Sequence, residues 1–174
     1  MRRRDEVDFT EFATAAVRRL RRTAYLMCGD WHRAEDAAQD ALVRVYKVWD
    51  RLDHQRGLNT YAHKAVVSVV LDQAKRPWRR EHLADEPVER VAADRTGTID
   101  NRLLVIQALA ELPPRQRACV VLRHYADLSL DETANVLGIT VGAVKSQSSR
   151  GLAALREVLD RPETTFENRE GVLS

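Results

Sequence analysis

The sequence has few aromatic residues, few glycines and no long run of apolar residues. Phe, Trp and Tyr make up 6% of its 174 residues and only seven are Gly, whereas Ala, Leu, Val and Arg are frequent. This composition indicates an all-α fold. No segment approaches the ~20 consecutive apolar residues of a membrane-spanning helix, and the arginines at positions 2–4 are followed by acidic residues rather than by the apolar stretch of a secretory signal. We therefore predict a soluble, cytoplasmic protein.

The few cysteines and histidines form no catalytic or metal-binding pattern. Cys28 and Cys119 each stand in an apolar helical context, which predicts buried thiols rather than a disulfide or a metal pair. The five histidines show no H-E-x-x-H spacing, and the sequence has no glycine-rich phosphate loop. We therefore expect no metal ion, no cofactor and no enzymatic activity.

The net charge of +2 is small, but the charge is unevenly distributed. Residues 1–80 hold 17 Lys and Arg against 11 Asp and Glu, whereas residues 81–102 hold 3 against 6 and residues 103–174 hold 8 against 9. The first part of the chain is therefore a candidate for contact with a polyanion.

Apolar periodicity predicts three helices in this basic part, over residues 7–28, 31–49 and 61–75, with Asn59 or Thr60 as the cap of the third. The second helix presents polar side chains opposite its alanine-rich stripe, namely Asp36, Gln39 and Asp40. Acidic residues near a helix start match the helix dipole, which is a sufficient structural explanation. The functional alternative is a docking face for a basic or polar partner.

A basic cluster follows the third helix. It consists of Lys75, Arg76, Arg79 and Arg80 around Trp78. Cations at a helix C-terminus also satisfy the dipole, but an aromatic ring among four cations is typical of a surface that stacks on unpaired bases and contacts phosphates. We favour contact with nucleic acid.

The segment 81–100 is polar and acidic, contains Pro87 and Gly97, and lacks a sustained apolar stripe. It predicts a flexible linker between two small helical domains. We place the first domain at residues 7–80 and the second at residues 101–160, with a polar tail over residues 161–174.

The second domain contains two short helices around a tight turn, within residues 129–155. Ser129 and Glu132 form an S-x-x-E capping box at the start of the first helix, and Gly138 is suited to its end. Thr140 is expected to cap the second helix, which begins at Val141. This pattern predicts a helix-turn-helix whose second helix enters the DNA major groove.

The outward face of that second helix is small and basic. Its members are Gly142, Ala143, Lys145, Ser146, Ser149 and Arg150. No acidic residue occurs between positions 141 and 156, whereas an ordinary solvated helix mixes both signs. We therefore favour a DNA-reading helix over a structural helical hairpin.

Two segments carry a resemblance to a known family. AEDAAQDALVRVYKVWDRL, from Ala34, resembles the polymerase-binding region 2.2 of bacterial sigma factors. LPPRQRACVVLRHYADLSLDETANVLGITVGAVKSQSSRGLAALR, from Leu112, resembles their region 4. With only these two domains, the chain is similar to the extracytoplasmic-function group of the sigma-70 family, and VKSQSSRGLAALR is similar to its SigE-like subgroup.

The resemblance implies a protein that recruits core RNA polymerase to promoters and starts transcription. It implies that Asp36, Gln39 and Asp40 face the clamp helices of the largest polymerase subunit. Residues 59–80 would contact the −10 promoter element, through Asn59, Tyr61, Lys64, Lys75, Arg76, Trp78, Arg79 and Arg80. Arg123 would join the helix-turn-helix residues at the −35 element.

Many relatives have an Arg-Asn pair where this chain has Val67 and Ser68. Control by an anti-sigma factor is typical of the family, which makes such a protein a further candidate partner.

The alternative is a helix-turn-helix transcriptional regulator that acts without being a polymerase subunit. Such a protein would bind duplex DNA by itself and would commonly form dimers.

Overall fold

The computed structural model describes residues 3–54, 57–74 and 98–161, and all regular secondary structure in these ranges is helical. The α-helices are α1 (Arg3–Cys28), α2 (Trp31–Val48), α3 (Leu58–Ala74), α4 (Thr98–Glu111), α5 (Pro114–Val120), α6 (Leu130–Leu137) and α7 (Val141–Leu159). A 3₁₀ turn at Trp49–Arg51 follows α2, and a π-helical turn at Val121–Tyr125 follows α5. The predicted all-α fold is confirmed.

The first three helices form a bundle in which α2 packs against both α1 and α3. The inward stripe of α2 consists of small residues that are fully buried: Ala34, Ala37, Ala38 and Ala41. Small side chains let the neighbouring helices approach closely, and Leu20 of α1 and Val66 of α3 belong to the same buried core. Asp30 caps α2 as its position suggests, because its side chain accepts a hydrogen bond of 2.9 Å from the Arg33 amide.

Three predicted helix boundaries were wrong. The first helix begins at Arg3 rather than at residue 7, and α4 begins at Thr98, inside the segment predicted to be linker. The third helix begins at Leu58, so that Asn59 and Thr60 lie within it and do not cap it. The reason is that buried Leu58 belongs to the core and the Tyr61 amide already donates to the Gly57 carbonyl at 2.9 Å. Residues 81–97 of the predicted linker and the tail beyond residue 161 lie outside the described residues.

In the C-terminal part, α7 packs against α4, α5 and α6. Gly151 of α7 lies against α5, where a Cβ atom would come within 2.6 Å of Val120 Cγ2. Leu112, Leu122 and Val144 are buried in this region. Cys119 is also buried, as predicted, and burial raises its pKa to about 11. Cys28 is only half-buried, and both thiols are free.

The two helical parts are packed against each other. Helix α6 lies on α3, while α4 and α5 contact α1. The helix-turn-helix therefore rests on the helix whose first residues were predicted to contact the −10 element.

Candidate nucleic-acid and polymerase interfaces

The helix-turn-helix is held by the local hydrogen bonds that its sequence predicts. The Ser129 amide donates to Glu132 Oε2 at 2.7 Å, and the Glu132 amide donates to Ser129 Oγ at 3.1 Å, which completes the capping box. Gly138 adopts the left-handed conformation with φ of 64°. Thr140 Oγ1 accepts a hydrogen bond of 3.1 Å from the Ala143 amide. Both helix starts and the turn between them are therefore confirmed.

These caps fix which side of α7 faces outward. Val144, Ser148 and Gly151 are buried against the other helices. The predicted −35 residues lie on the opposite side, where Gly142, Lys145, Ser149 and Arg150 are exposed and Ala143 and Ser146 are half-buried. Within the part of the chain that the structure describes, neither Lys145 nor Arg150 forms an ion pair. Both cations are thus available to an anionic ligand.

Arg123 has a different environment from the other residues of the predicted −35 set. It lies in the π-helical turn, is half-buried, and its guanidinium donates to the Leu128 carbonyl. This contact joins the end of the α5 segment to the loop that leads into α6. The structure therefore gives Arg123 a positioning contact, and DNA contact by this residue stays a prediction.

The predicted −10 residues fall into two groups. Lys64 is exposed on α3, whereas Tyr61 is half-buried against the core and the Asn59 side chain accepts a hydrogen bond of 2.6 Å from Arg19. The remaining members, Lys75, Arg76, Trp78, Arg79 and Arg80, lie outside the described residues. Val67, at one of the two positions where the sequence departs from many relatives, is 1% exposed and belongs to the core of the first bundle.

The predicted polymerase-binding residues share one exposed face of α2. Asp36, Gln39 and Asp40 are all exposed, on the side away from the buried alanine stripe. Glu35, by contrast, is tied to α1 through an ion pair of 2.9 Å with Arg21, which lowers the pKa of its carboxyl group. The two aspartates thus present their charge outward.

Sequence reasoning missed Val43 on this face. It is 52% exposed, three residues after Asp40, and therefore shares a side of the helix with it. The sequence does contain a signal for it, because Val43 is an apolar residue that does not fall on the alanine stripe of α2. Protein interfaces usually combine an apolar centre with a polar rim, and an exposed Val43 beside polar residues fits that arrangement.

In the described ranges, no helix is both long and apolar enough to cross a membrane. The same ranges contain no group of three or more His, Cys, Asp or Glu side chains placed to hold a metal ion.

Comparison with known proteins identifies the same two regions. The family profile described as Sigma-70 region 2 matches residues 12–80, and that described as Sigma-70, region 4 matches residues 108–157. The RNA polymerase sigma-E factor of Streptomyces avermitilis is 34% identical over 158 residues, which cover 88% of this chain and 86% of that protein. The ECF RNA polymerase sigma factor SigM of Mycobacterium tuberculosis is 32% identical over 155 residues, covering 89% of this chain and 79% of SigM.

Solved structures share the fold. The sigma factor RpoE from Bartonella quintana, determined in complex with the anti-sigma factor NepR, has a TM-score of 0.71 at 24% identity, covering 87% of this chain and 96% of RpoE. CnrH, determined in complex with the cytosolic domain of CnrY, has a TM-score of 0.66 at 22% identity and covers 89% of both chains. From the two matched family regions and the relatives that are 32–34% identical, we conclude that the chain belongs to the extracytoplasmic-function group of the sigma-70 family, and that it is a sigma factor that binds core RNA polymerase and directs promoter-specific transcription initiation.

Proposed function

We propose that this sigma factor works through three surfaces. The outward face of α7 reads the −35 element, the start of α3 with the basic segment after it contacts the −10 element, and the acidic face of α2 docks on core polymerase. The observation that carries the proposal is the exposed, acid-free face of α7, which two side-chain caps and the buried Gly151 hold in place.

The α7 face suits duplex DNA for two reasons. Helix N-termini present free amide groups and a positive dipole end to phosphates, and Gly142 and Ala143 in the first turn leave room for close approach of the DNA backbone. Further along, Lys145, Ser149 and Arg150 can reach base edges and phosphates in the major groove.

The α2 face suits a basic protein surface. Asp36 and Asp40 lie four residues apart and so project side by side from the helix, and both are exposed. Complementary charge across an interface steers association and selects the correct partner. Val43 supplies an apolar contact beside them.

We further propose that the chain performs no catalysis of its own, since nucleotide addition belongs to the polymerase. It acts in the cytoplasm, where its two partners are located. An anti-sigma protein is a candidate for a third partner, because the structurally similar RpoE was determined in complex with one.

Charge reversal on α2 tests the docking surface. Asp36→Lys and Asp40→Lys should leave helicity and melting temperature nearly unchanged, because both side chains are exposed, and should weaken core-polymerase binding, because like charges that face each other cost several kcal/mol. Glu11→Lys is the matched control, since it makes the same charge change at an exposed position of α1. Equal affinity of all three variants for core polymerase would contradict the assignment of this face.

A further inference from the structure

The second half of α1 is strongly basic. Its arginines are Arg18, Arg19, Arg21 and Arg22, and no acidic residue follows Glu11 in this helix. Arg21 faces α2, where it forms an ion pair of 2.9 Å with Glu35 and its guanidinium carbon lies 5.4 Å from the centroid of the Trp31 ring. The charge of Arg21 is therefore matched inside the first bundle, whereas the charges of the other three arginines are not.

These three arginines form a continuous strip that reaches the start of α3. Arg18 and Arg22 are four residues apart and Arg19 lies three residues before Arg22, so the three side chains are neighbours on the helix surface. All three are exposed. Arg19 Nη2 donates to Asn59 Oδ1 at 2.6 Å, which joins this α1 strip to the first turn of α3.

Folding of α1 does not account for the charges of the strip. In the described ranges, neither Arg18 nor Arg22 forms an ion pair or a side-chain hydrogen bond. Like charges four residues apart destabilise a helix. The helix dipole stabilises cations only in the last turn, and the last turn of α1 contains no basic residue. The free protein therefore holds two repelling cations that an anionic ligand would stabilise.

The position of the strip indicates which anion it binds. Asn59 belongs to the surface that we assign to the −10 element, and proteins that hold unpaired strands combine cations along the backbone with side chains that contact the bases. A guanidinium group also matches the geometry of a phosphate, to which it donates two hydrogen bonds. The basic surface that suits the acidic face of α2 would repel the strip, which disfavours core polymerase as its ligand.

We propose that the α1 strip binds the sugar-phosphate backbone of the −10 strand once that strand is unpaired. Arg18 and Arg22 contact phosphates, while Arg19 is a positioning residue that orients Asn59 towards the bases. Because phosphate contacts carry no sequence information, the strip increases affinity for the open strand without adding to promoter selectivity. The proposal rests on the −10 surface proposed above.

The test compares two double variants in complex with core polymerase. Arg18→Gln/Arg22→Gln removes both phosphate contacts and leaves Arg19 in place. Arg102→Gln/Arg156→Gln is the matched control, because it removes two exposed cations from α4 and α7. Binding is measured at several salt concentrations with a labelled single-stranded oligonucleotide that covers the −10 element and with a duplex that carries only the −35 element.

For Arg18→Gln/Arg22→Gln, the slope of log affinity against log salt concentration should fall by about 1.4 with the single strand, since each phosphate contact contributes about 0.7. That slope corresponds to about 20-fold weaker binding at 0.1 M salt and a difference that vanishes towards 1 M. The loss should be equal for oligonucleotides with altered −10 bases. Binding of the −35 duplex and of core polymerase should match the parent chain, as should every property of the control variant.

The thermal stability of the free protein supplies an independent readout. Arg18→Gln/Arg22→Gln should melt at the same temperature as the parent chain or slightly higher, because it removes the repulsion between two exposed side chains. A structural role for the two arginines would instead lower the melting temperature, and that result would overturn the proposal.

Three binding results would also overturn it. They are an unchanged salt slope with the single strand, an equal loss with the −35 duplex, and weaker binding of core polymerase. Failure of the −10 surface itself has a separate signature in the same assay, because Lys64→Ala on α3 would then bind the oligonucleotide as tightly as the parent chain. If Lys64→Ala binds more weakly while Arg18→Gln/Arg22→Gln does not, the −10 surface stands and the α1 strip is only a solvated face.

Discussion

Among single residues, buried His63 is the one through which we expect the stability of this fold to depend on pH. Its side chain is fully buried on α3, with Nδ1 2.9 Å from the Asn59 carbonyl oxygen. Burial lowers the pKa of His63, although the bond to Asn59 opposes the shift. The ring is therefore neutral in the folded state under conditions where the unfolded chain already binds a proton.

We predict that the free energy of unfolding falls as the pH drops below about 6.5, the ordinary pKa of histidine. The sign follows because the unfolded state binds more protons than the folded state between the lowered folded pKa and that value. Urea unfolding at pH 7.5, 6.5 and 5.5 would measure the fall. His63→Gln should flatten this dependence, whereas replacement of exposed His124 should not. An unchanged slope in His63→Gln would refute the assignment.

Residues that act on near neighbours in the chain were predictable from the sequence. The capping box of Ser129 and Glu132 and the cap at Thr140 each join groups three residues apart. Asn59 and Thr60 do not cap α3, because the helix already begins at Leu58. Their side chains instead bond residues 40 and 72 positions away. A pattern of neighbouring residues in the sequence cannot predict partners that are so far away in the chain.

At the scale of the helix, α7 contains two glycines with opposite surroundings. A Cβ on Gly151 would meet Val120 Cγ2 at 2.6 Å and the Gln116 carbonyl oxygen at 3.2 Å. A Cβ on Gly142 would meet nothing closer than Thr140 Oγ1 at 3.9 Å. Periodicity places Gly142 on the outward face of α7, but it does not reveal the tight contact at Gly151, because the close approach of α5 to α7 arises only in the folded chain.

We predict that Gly151→Ala destabilises the C-terminal unit by about 1–3 kcal/mol, the usual cost of overpacking. Gly142→Ala should be neutral or slightly stabilising, since alanine favours a helix over glycine. Chemical denaturation of the two variants makes the comparison. Equal stability would mean that α5 and α7 do not approach each other as described.

The same helix carries the test of −35 recognition. If Lys145 or Arg150 reads a base, its replacement by Ala should reduce the binding free energy by about 1–3 kcal/mol at one base position. If it contacts phosphate, the replacement should weaken binding evenly across sequences and lower the slope of log affinity against log salt concentration by ~1. Arg156→Ala is the control, because Arg156 is an exposed cation in the last turn of α7, far from the N-terminal end that enters the groove. Binding of the polymerase-bound protein to promoter duplexes at several salt concentrations separates these cases. A loss for Arg156→Ala as large as for the other two would contradict the proposed orientation.

At the scale of the whole molecule, composition and periodicity were sufficient for the all-α class and for the presence of two helical regions. They gave no indication that α6 packs on α3 or that Arg117 bonds the end of α1, since these contacts join residues far apart in the chain. The π-helical turn that connects α5 to the helix-turn-helix was equally hidden, because its Ala126-to-Val121 bond has no sequence signature. The acidic face of α2 and the outward face of α7 were nevertheless predictable as exposed surfaces, because each lies opposite the apolar side that its helix buries.

The central claim is that this chain gives core RNA polymerase the ability to start at particular promoters. Run-off transcription with purified core polymerase, the purified chain and templates selected by binding of their complex tests it most directly. We predict discrete transcripts that require both proteins and that disappear with Asp40→Lys while persisting with Glu11→Lys. If no transcript depends on the chain, and the chain alone instead binds duplex sites with sequence preference, the account is contradicted and a regulator independent of polymerase takes its place.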